Sequence, residues 1–76
     1  MISRMEKLIW LSKNVANFRR EKGWSQDKLA EASKICTRYL SRIESGSANP
    51  TSKVLIQLSE ALGVEIGDLF QKPKEN

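Results

Sequence analysis

The sequence predicts one compact all-α domain, and three observations lead to that prediction. The chain has 76 residues, which is the size of one small domain. No run of β-branched residues alternates with polar ones between turn residues, as a strand would require. Instead, apolar residues recur three or four positions apart in short segments that glycine, proline or small polar residues separate. We therefore expect five short helices and no sheet.

The first predicted helix is amphipathic and ends at a glycine. Gly23 can adopt the left-handed conformation that closes a helix. Upstream of this glycine, four apolar residues spaced three, four and three apart share one stripe: Leu8, Leu11, Val15 and Phe18.

The next two helices and the tight turn between them form a helix–turn–helix unit. Ser25 is placed to cap the first of the two, and Asp27 lies in its first turn, where the helix dipole favours a carboxylate. The other helix is expected to run from Cys36 or Thr37 to Ser45. In the helix that Ser25 caps, the residues predicted to face the core are Leu29, Ala30 and Ala32.

Two further helices complete the predicted fold. Thr51 is placed to cap the fourth helix, and Gly63 is placed to close it. A short fifth helix is expected over residues 65–70 and a flexible polar tail over residues 71–76. The core of this single domain, residues 1–76, then spans about residues 8–70. The inner residues of the fourth helix are Val54, Leu55, Leu58, Ala61 and Leu62.

The composition argues against an enzyme, a metal protein and a secreted protein. Histidine is absent and cysteine occurs once, which removes the commonest general base, Cys/His zinc sites and internal disulfides. We expect no cofactor and no small-molecule effector. The longest apolar run, Leu8–Leu11, is too short for a membrane span, and the first residues lack the pattern of a signal peptide. With its single unpaired thiol, the protein is expected to be cytoplasmic.

The charge is positive and unevenly distributed. The net charge is +4. Residues 1–46 hold ten basic and five acidic residues, whereas residues 47–76 hold three and four. A basic half in a small domain suggests a polyanionic partner, with nucleic acid ahead of an anionic membrane. Charge alone also fits a surface that is merely solvated.

A helical wheel gives the third helix one apolar face and one basic face. Leu40 and Ile43 point to one side, and Cys36 joins them if it is helical. An arginine on the opposite face can donate two parallel hydrogen bonds to a guanine edge, and small neighbours let the helix enter the major groove. A solvated helix face remains the alternative. The residues of this opposite face are Arg38, Ser41, Arg42 and Ser45.

The sequence resembles the Cro/repressor-type (Xre-like) helix-turn-helix family over roughly residues 15–70. That family implies a compact five-helix, repressor-like fold and a DNA-binding function. Four segments in the same order and spacing carry the resemblance: Phe18–Glu31 (FRREKGWSQDKLAE), Tyr39–Gly46 (YLSRIESG), Asn49–Thr51 (NPT) and Ala61–Val64 (ALGV).

The resemblance also implies roles for individual residues. The third helix is similar to the recognition helix that lies in the major groove. Packing at the edge of the core is an alternative for Tyr39. The positions that read bases are Thr37, Arg38, Ser41 and Arg42. The positions that contact DNA phosphates are Ser25, Gln26, Tyr39, Ser45 and Asn49.

The remaining family positions are structural, and three depart from the family's pattern: Lys34, Cys36 and Ser52, which stands at a position that is usually apolar. Arg19 and Glu44 match a partly buried salt bridge that joins helix one to the end of helix three. Lys34 replaces the usual glycine of the turn, so a non-glycine residue is expected in a left-handed conformation. Cys36 stands at a capping position as a poor acceptor; we expect a buried, inert thiol there, with a redox switch as the lesser alternative.

We expect a homodimer on a palindromic double-stranded DNA operator. One domain touches only about four or five base pairs, and two copies about one helical turn apart multiply its specificity. A second candidate surface contains Ile9 and Trp10, and core closure is the alternative to a dimer surface. The first candidate surface consists of Val64, Ile66, Leu69 and Phe70.

Several kinds of regulator fit this sequence. The chain length and the segment Thr37–Ser41 are similar to controller proteins of restriction–modification systems, and small phage-like repressors share the same frame. An antitoxin-type autoregulator is an alternative. A protein-interaction module that has lost DNA binding is a rival from another class, because fold alone does not decide function. The helix face that contains Arg38 and Arg42 favours the interpretation that the protein binds DNA.

Overall fold

The computed structural model describes residues 3–73, and this part of the chain contains five helices. They are α1 (Arg4–Glu21), α2 (Gln26–Ser33), α3 (Thr37–Glu44), α4 (Ser52–Leu62) and α5 (Ile66–Leu69). The predicted all-α, five-helix fold is thereby confirmed. None of the helices within residues 3–73 combines the length and the apolar character that a membrane span needs.

Short polar side chains begin three of the helices, and left-handed glycines lie at the ends of three, with Gly46 following α3. Ser25 caps α2 and Thr51 caps α4, each accepting a hydrogen bond from the backbone N–H three residues later, at 3.1 and 3.3 Å. Ser3 caps α1 in the same way, so α1 begins ahead of the apolar stripe that predicts it. Gly23 and Gly63, with φ of +71° and +72°, lie at the ends of α1 and α4.

The core lies between all five helices, and α3 contributes its buried face to it. α2 packs against both α3 and α4, and α1 packs against both α3 and α5. Because α3 is fixed from two directions, its outer face keeps a defined position relative to α2. The fully buried large residues come from every helix: Leu11, Val15, Leu29, Leu40, Ile43, Leu58 and Leu69.

The turn between α2 and α3 passes through a left-handed lysine, as predicted. Lys34 has φ +62° and ψ +39°, a conformation that side chains other than glycine adopt at a cost. The N–H of Ile35 donates to the carbonyl of Ala30 at 3.0 Å, which satisfies one of the last carbonyls of α2. The turn therefore keeps its hydrogen bonding while it stores local strain at Lys34.

Replacing Lys34 with glycine is expected to stabilise the protein by about 0.5–1 kcal/mol, because it removes this strain. Urea unfolding followed by circular dichroism measures the change. Ala32→Gly, two residues earlier on the exposed side of α2, is the matched control and should cost about 0.5–1 kcal/mol. If both variants lose stability, the conformation of Lys34 is not strained.

Two residues of the helix–turn–helix unit are exposed although the sequence predicts that they are buried. Ala32 is exposed, and Ser33 occupies the inner position with its hydroxyl donating to the carbonyl of Leu29 at 2.6 Å. Cys36 is exposed rather than buried. It precedes α3 as its N-cap, so it does not follow the wheel, and its Sγ accepts from the N–H of Tyr39 at 3.4 Å.

Asn14 ties the end of the fold to α1. It is buried, and its Nδ2 donates to the carbonyls of Leu69 at 2.8 Å and Gln71 at 2.7 Å. Leu69 is fully buried, so its predicted place in a dimer surface is wrong: it belongs to the core. Gln71, predicted to begin the flexible tail, is held by this bond, and residues 74–76 of that tail lie outside the described residues.

Candidate nucleic-acid interface

α3 separates a buried face from an exposed polar face, as the wheel predicts. Leu40 and Ile43 are 0 % and 1 % exposed. The residues on the opposite side, which are all exposed, are Arg38, Ser41, Arg42 and Ser45. The structure therefore brings two guanidinium groups and two small hydroxyls together on one outer surface, which we call the α3 face.

The two arginines of the α3 face differ in how they are held. Arg42 Nη2 lies 3.5 Å from the carbonyl of Ser47, a weak contact with the loop after α3. The hydroxyls of Ser45 and Ser47 lie 3.0 Å apart, and both donate to the carbonyl of Arg42. Within residues 3–73, the Arg38 side chain makes no hydrogen bond or ion pair, so its donors are available to a ligand.

Thr37, the first residue of α3, contacts α2. Its Oγ1 donates to Oδ1 of Asp27 at 2.8 Å. Thr37 is half-buried and Asp27 is exposed. The sequence predicts that Asp27, in the first turn of α2, interacts favourably with the helix dipole. Accepting a hydrogen bond from Thr37 is a second role, which depends on how α2 and α3 pack.

Arg19 and Glu44 form a two-pronged ion pair between α1 and the end of α3. Arg19 Nε donates to Glu44 Oε2 at 2.8 Å, and Nη2 donates to Oε1 at 3.0 Å. The two side chains are 12 % and 6 % exposed. Arg19 Nη1 also donates to the carbonyl of Trp24 at 2.8 Å, so this group joins α1, α3 and the loop before α2.

The ion pair stabilises the charged form of Arg19. Its hydrogen bonds to Glu44 raise the pKa of Arg19 above its usual value; burial opposes this shift, and the negative charge of Glu44 adds to it. A guanidinium that is committed to Glu44 and Trp24 is not available to DNA. The structure thus contains the structural ion pair that the family resemblance implies.

Gln26 extends the ion pair to the start of α2. Its Nε2 donates to Glu44 Oε1 at 3.1 Å, and its side chain is half-buried. As the first residue of α2, Gln26 has a backbone N–H that no intrahelical carbonyl accepts, and the same is true of Asp27. The side chain predicted to contact a phosphate is therefore held beside the amides that a phosphate would need.

The other predicted phosphate contacts lie at three different places. Ser25 is exposed, and its hydroxyl already caps α2, which leaves its proton for a further bond. Asn49 is exposed in the loop before α4. Tyr39 is half-buried and packs against the core. This is the environment expected if Tyr39 packs at the edge of the core, the alternative to a phosphate contact.

The remaining residues of the first candidate dimer surface do not share one environment. Val64 and Phe70 are half-buried and pack against the core, whereas Ile66 is 38 % exposed. In the second candidate surface, Ile9 is 49 % exposed and Trp10 is half-buried.

The sequence model of a family described as helix-turn-helix matches residues 15–69, most of the chain. The chain belongs to this helix-turn-helix family. The match contains α2, the turn with its left-handed lysine, and α3. The resemblance to Xre-like proteins that the sequence indicates is thereby confirmed.

The proteins similar to this helix-turn-helix protein include named transcriptional regulators and a restriction-modification controller protein. It is 43% identical over 71 residues to an uncharacterized HTH-type transcriptional regulator, y4dJ, of Sinorhizobium fredii, covering 93% of this chain and 90% of that protein. The restriction-modification controller protein C.AhdI from Aeromonas hydrophila matches with a TM-score of 0.80 and 30% identity, over 83% of this chain and 96% of that one. The hypothetical transcription factor NHTF from Neisseria matches with a TM-score of 0.85 and 28% identity, over 96% and 85%. The helix-turn-helix protein is accordingly a transcriptional regulator.

Proposed function

We propose that the protein binds a palindromic operator in double-stranded DNA as a homodimer, with α3 of each subunit in the major groove. The observation that carries the proposal is the α3 face, where exposed Arg38 and Arg42 stand opposite fully buried Leu40. A helix in this setting is rigidly held and has guanidinium donors that fit guanine O6 and N7. We also propose that the protein is cytoplasmic, because a single unpaired thiol fits a reducing compartment.

The similarity to C.AhdI favours a controller of restriction–modification genes as the biological role. In this proposal, Gln26 and the first amides of α2 contact a phosphate and orient α3, while Arg38 and Arg42 read bases. Thr37 and Ser41 read bases beside them, and Ser25, Ser45 and Asn49 contact the backbone. A small phage-like repressor would use the same geometry at a different operator.

Selection of bound oligonucleotides from a random pool tests the proposal directly. The expected product is an inverted repeat whose half-sites lie about 34 Å apart, one helical turn. Binding to it should weaken steeply with salt, since each phosphate contact contributes about −0.9 to the slope of log affinity against log salt concentration. Enrichment of no motif would contradict the proposal and favour a protein-interaction module. A non-repeated motif would contradict the symmetric dimer.

Self-association through α5 is tested by Ile66→Glu. Ile66 is an exposed apolar residue next to half-buried Val64 and Phe70, and a buried charge at the centre of an interface is costly. We expect the dimer dissociation constant, measured by sedimentation, to rise at least about tenfold. Ile56→Glu, at another exposed isoleucine on α4, is the control. Equal effects of the two changes would place the dimer surface elsewhere, with Ile9 as the next position to change.

A further inference from the structure

The contact between Asp27 and Thr37 joins the first turn of α2 to the first residue of α3. Thr37 Oγ1 lies 2.8 Å from Asp27 Oδ1. An ionised carboxylate only accepts hydrogen bonds, so the hydroxyl of Thr37 is the donor. A hydroxyl has one proton, and in Thr37 that proton is committed to Asp27.

This commitment changes what Thr37 can offer to a base. Its Oγ1 keeps only lone pairs for an outside partner, so it accepts hydrogen bonds and does not donate them. In the major groove, adenine and cytosine present amino groups, whereas guanine and thymine present the acceptor oxygens O6 and O4. A hydroxyl that only accepts bonds is complementary to the amino bases and unfavourable beside the keto bases.

We propose that Asp27 is a positioning residue for base recognition, which makes Thr37 select adenine or cytosine over guanine or thymine on the contacted strand. This inference rests on the proposed function, in which α3 lies in the major groove. Asp27 itself is exposed beside Thr37, at the edge where α3 begins. Its charge also repels phosphates, which weakens binding to every sequence alike.

The hydrogen bond between Thr37 and Asp27 should be stronger in the protein–DNA complex than in the free protein. In the free protein Asp27 is exposed and water competes for its oxygens. DNA that covers this edge removes that water, and a hydrogen bond to a carboxylate strengthens in a less polar setting. The proton of Thr37 is then held at the moment when a base is read.

The test compares all four bases at one position of an operator selected from a random pool. Thr37→Val, which removes the hydroxyl and keeps the shape, identifies that position as the one where preference is lost. At that position the unaltered protein should bind amino bases about tenfold more tightly than keto bases. Asp27→Ala should reduce this ratio to within about twofold, because the freed hydroxyl can donate or accept. Asp27→Glu, which keeps an acceptor-only partner, should retain most of the ratio.

Glu31→Ala is the matched control, since it removes another exposed acid of α2 that does not contact Thr37. It should strengthen binding to all sequences and leave the ratio unchanged. If Asp27→Ala behaves like Glu31→Ala, or if Thr37→Val loses an amino-base preference at no position of the operator, the inference is overturned while the proposed function stands. A protein that selects no sequence overturns both.

Discussion

Replacing Glu44 with alanine is expected to lower the free energy of unfolding by about 3–5 kcal/mol. The change removes the carboxylate that pairs with Arg19, whose side chain is 12 % exposed in the intact protein, and it removes the partner of Gln26 Nε2. A domain of this size has a total stability of about 4–11 kcal/mol, so this loss is a large part of the whole. Urea unfolding at 25 °C, followed by circular dichroism, measures it.

Two comparisons separate the ion pair from charge in general. Glu31→Ala removes an exposed carboxylate that lies 3.7 Å from Lys28, and it should change the free energy by less than about 0.5 kcal/mol. The double change Arg19→Met with Glu44→Leu removes both charges and should restore much of the stability, because no unpaired charge stays buried. Equal losses for Glu44→Ala and Glu31→Ala would contradict the structural role.

Much of the fold could be predicted because local chemistry determines where the helices begin and end. Ser25, Thr51 and Gly63 act at their own helix ends, and their effects need no knowledge of distant residues. Leu69 could not be assigned in this way. Its helix has four residues, too few for periodicity to define a face, and its position depends on the bond from Asn14 to its carbonyl, 55 residues away in sequence.

In the candidate site too, features that depend on local sequence could be predicted and contacts between helices could not. The two faces of α3 follow from its periodicity, which the buried Leu40 and Ile43 confirm. Contacts between helices do not follow from spacing: the bond of Thr37 to Asp27 depends on the packing of α2 against α3. The Arg19 and Glu44 pair, 25 residues apart, was predictable from the family resemblance and not from the pattern of residues.

Arg38→Ala is expected to cost about 1–3 kcal/mol in operator binding and to relax preference at one base position. Arg38 is exposed on the α3 face and has donors that no other residue of the described chain uses. If it reads guanine through two parallel hydrogen bonds, Arg38→Lys should lose most of the same discrimination, because an ammonium keeps the charge without the planar fork. Competition binding against operators that carry each base at that position measures both effects.

The control for Arg38→Ala must remove the same charge outside the α3 face. Arg20 is exposed on α1, next to an arginine that the ion pair already holds, and Arg20→Ala should leave every base preference unchanged. At most it lowers the salt slope by about one unit, the effect of losing one phosphate contact. If Arg38 reads a base, the loss of affinity caused by Arg38→Ala must depend on the operator's sequence. If Arg38→Ala and Arg20→Ala weaken matched and mismatched operators by equal factors, Arg38 acts only through its charge, and the bases are read by other residues.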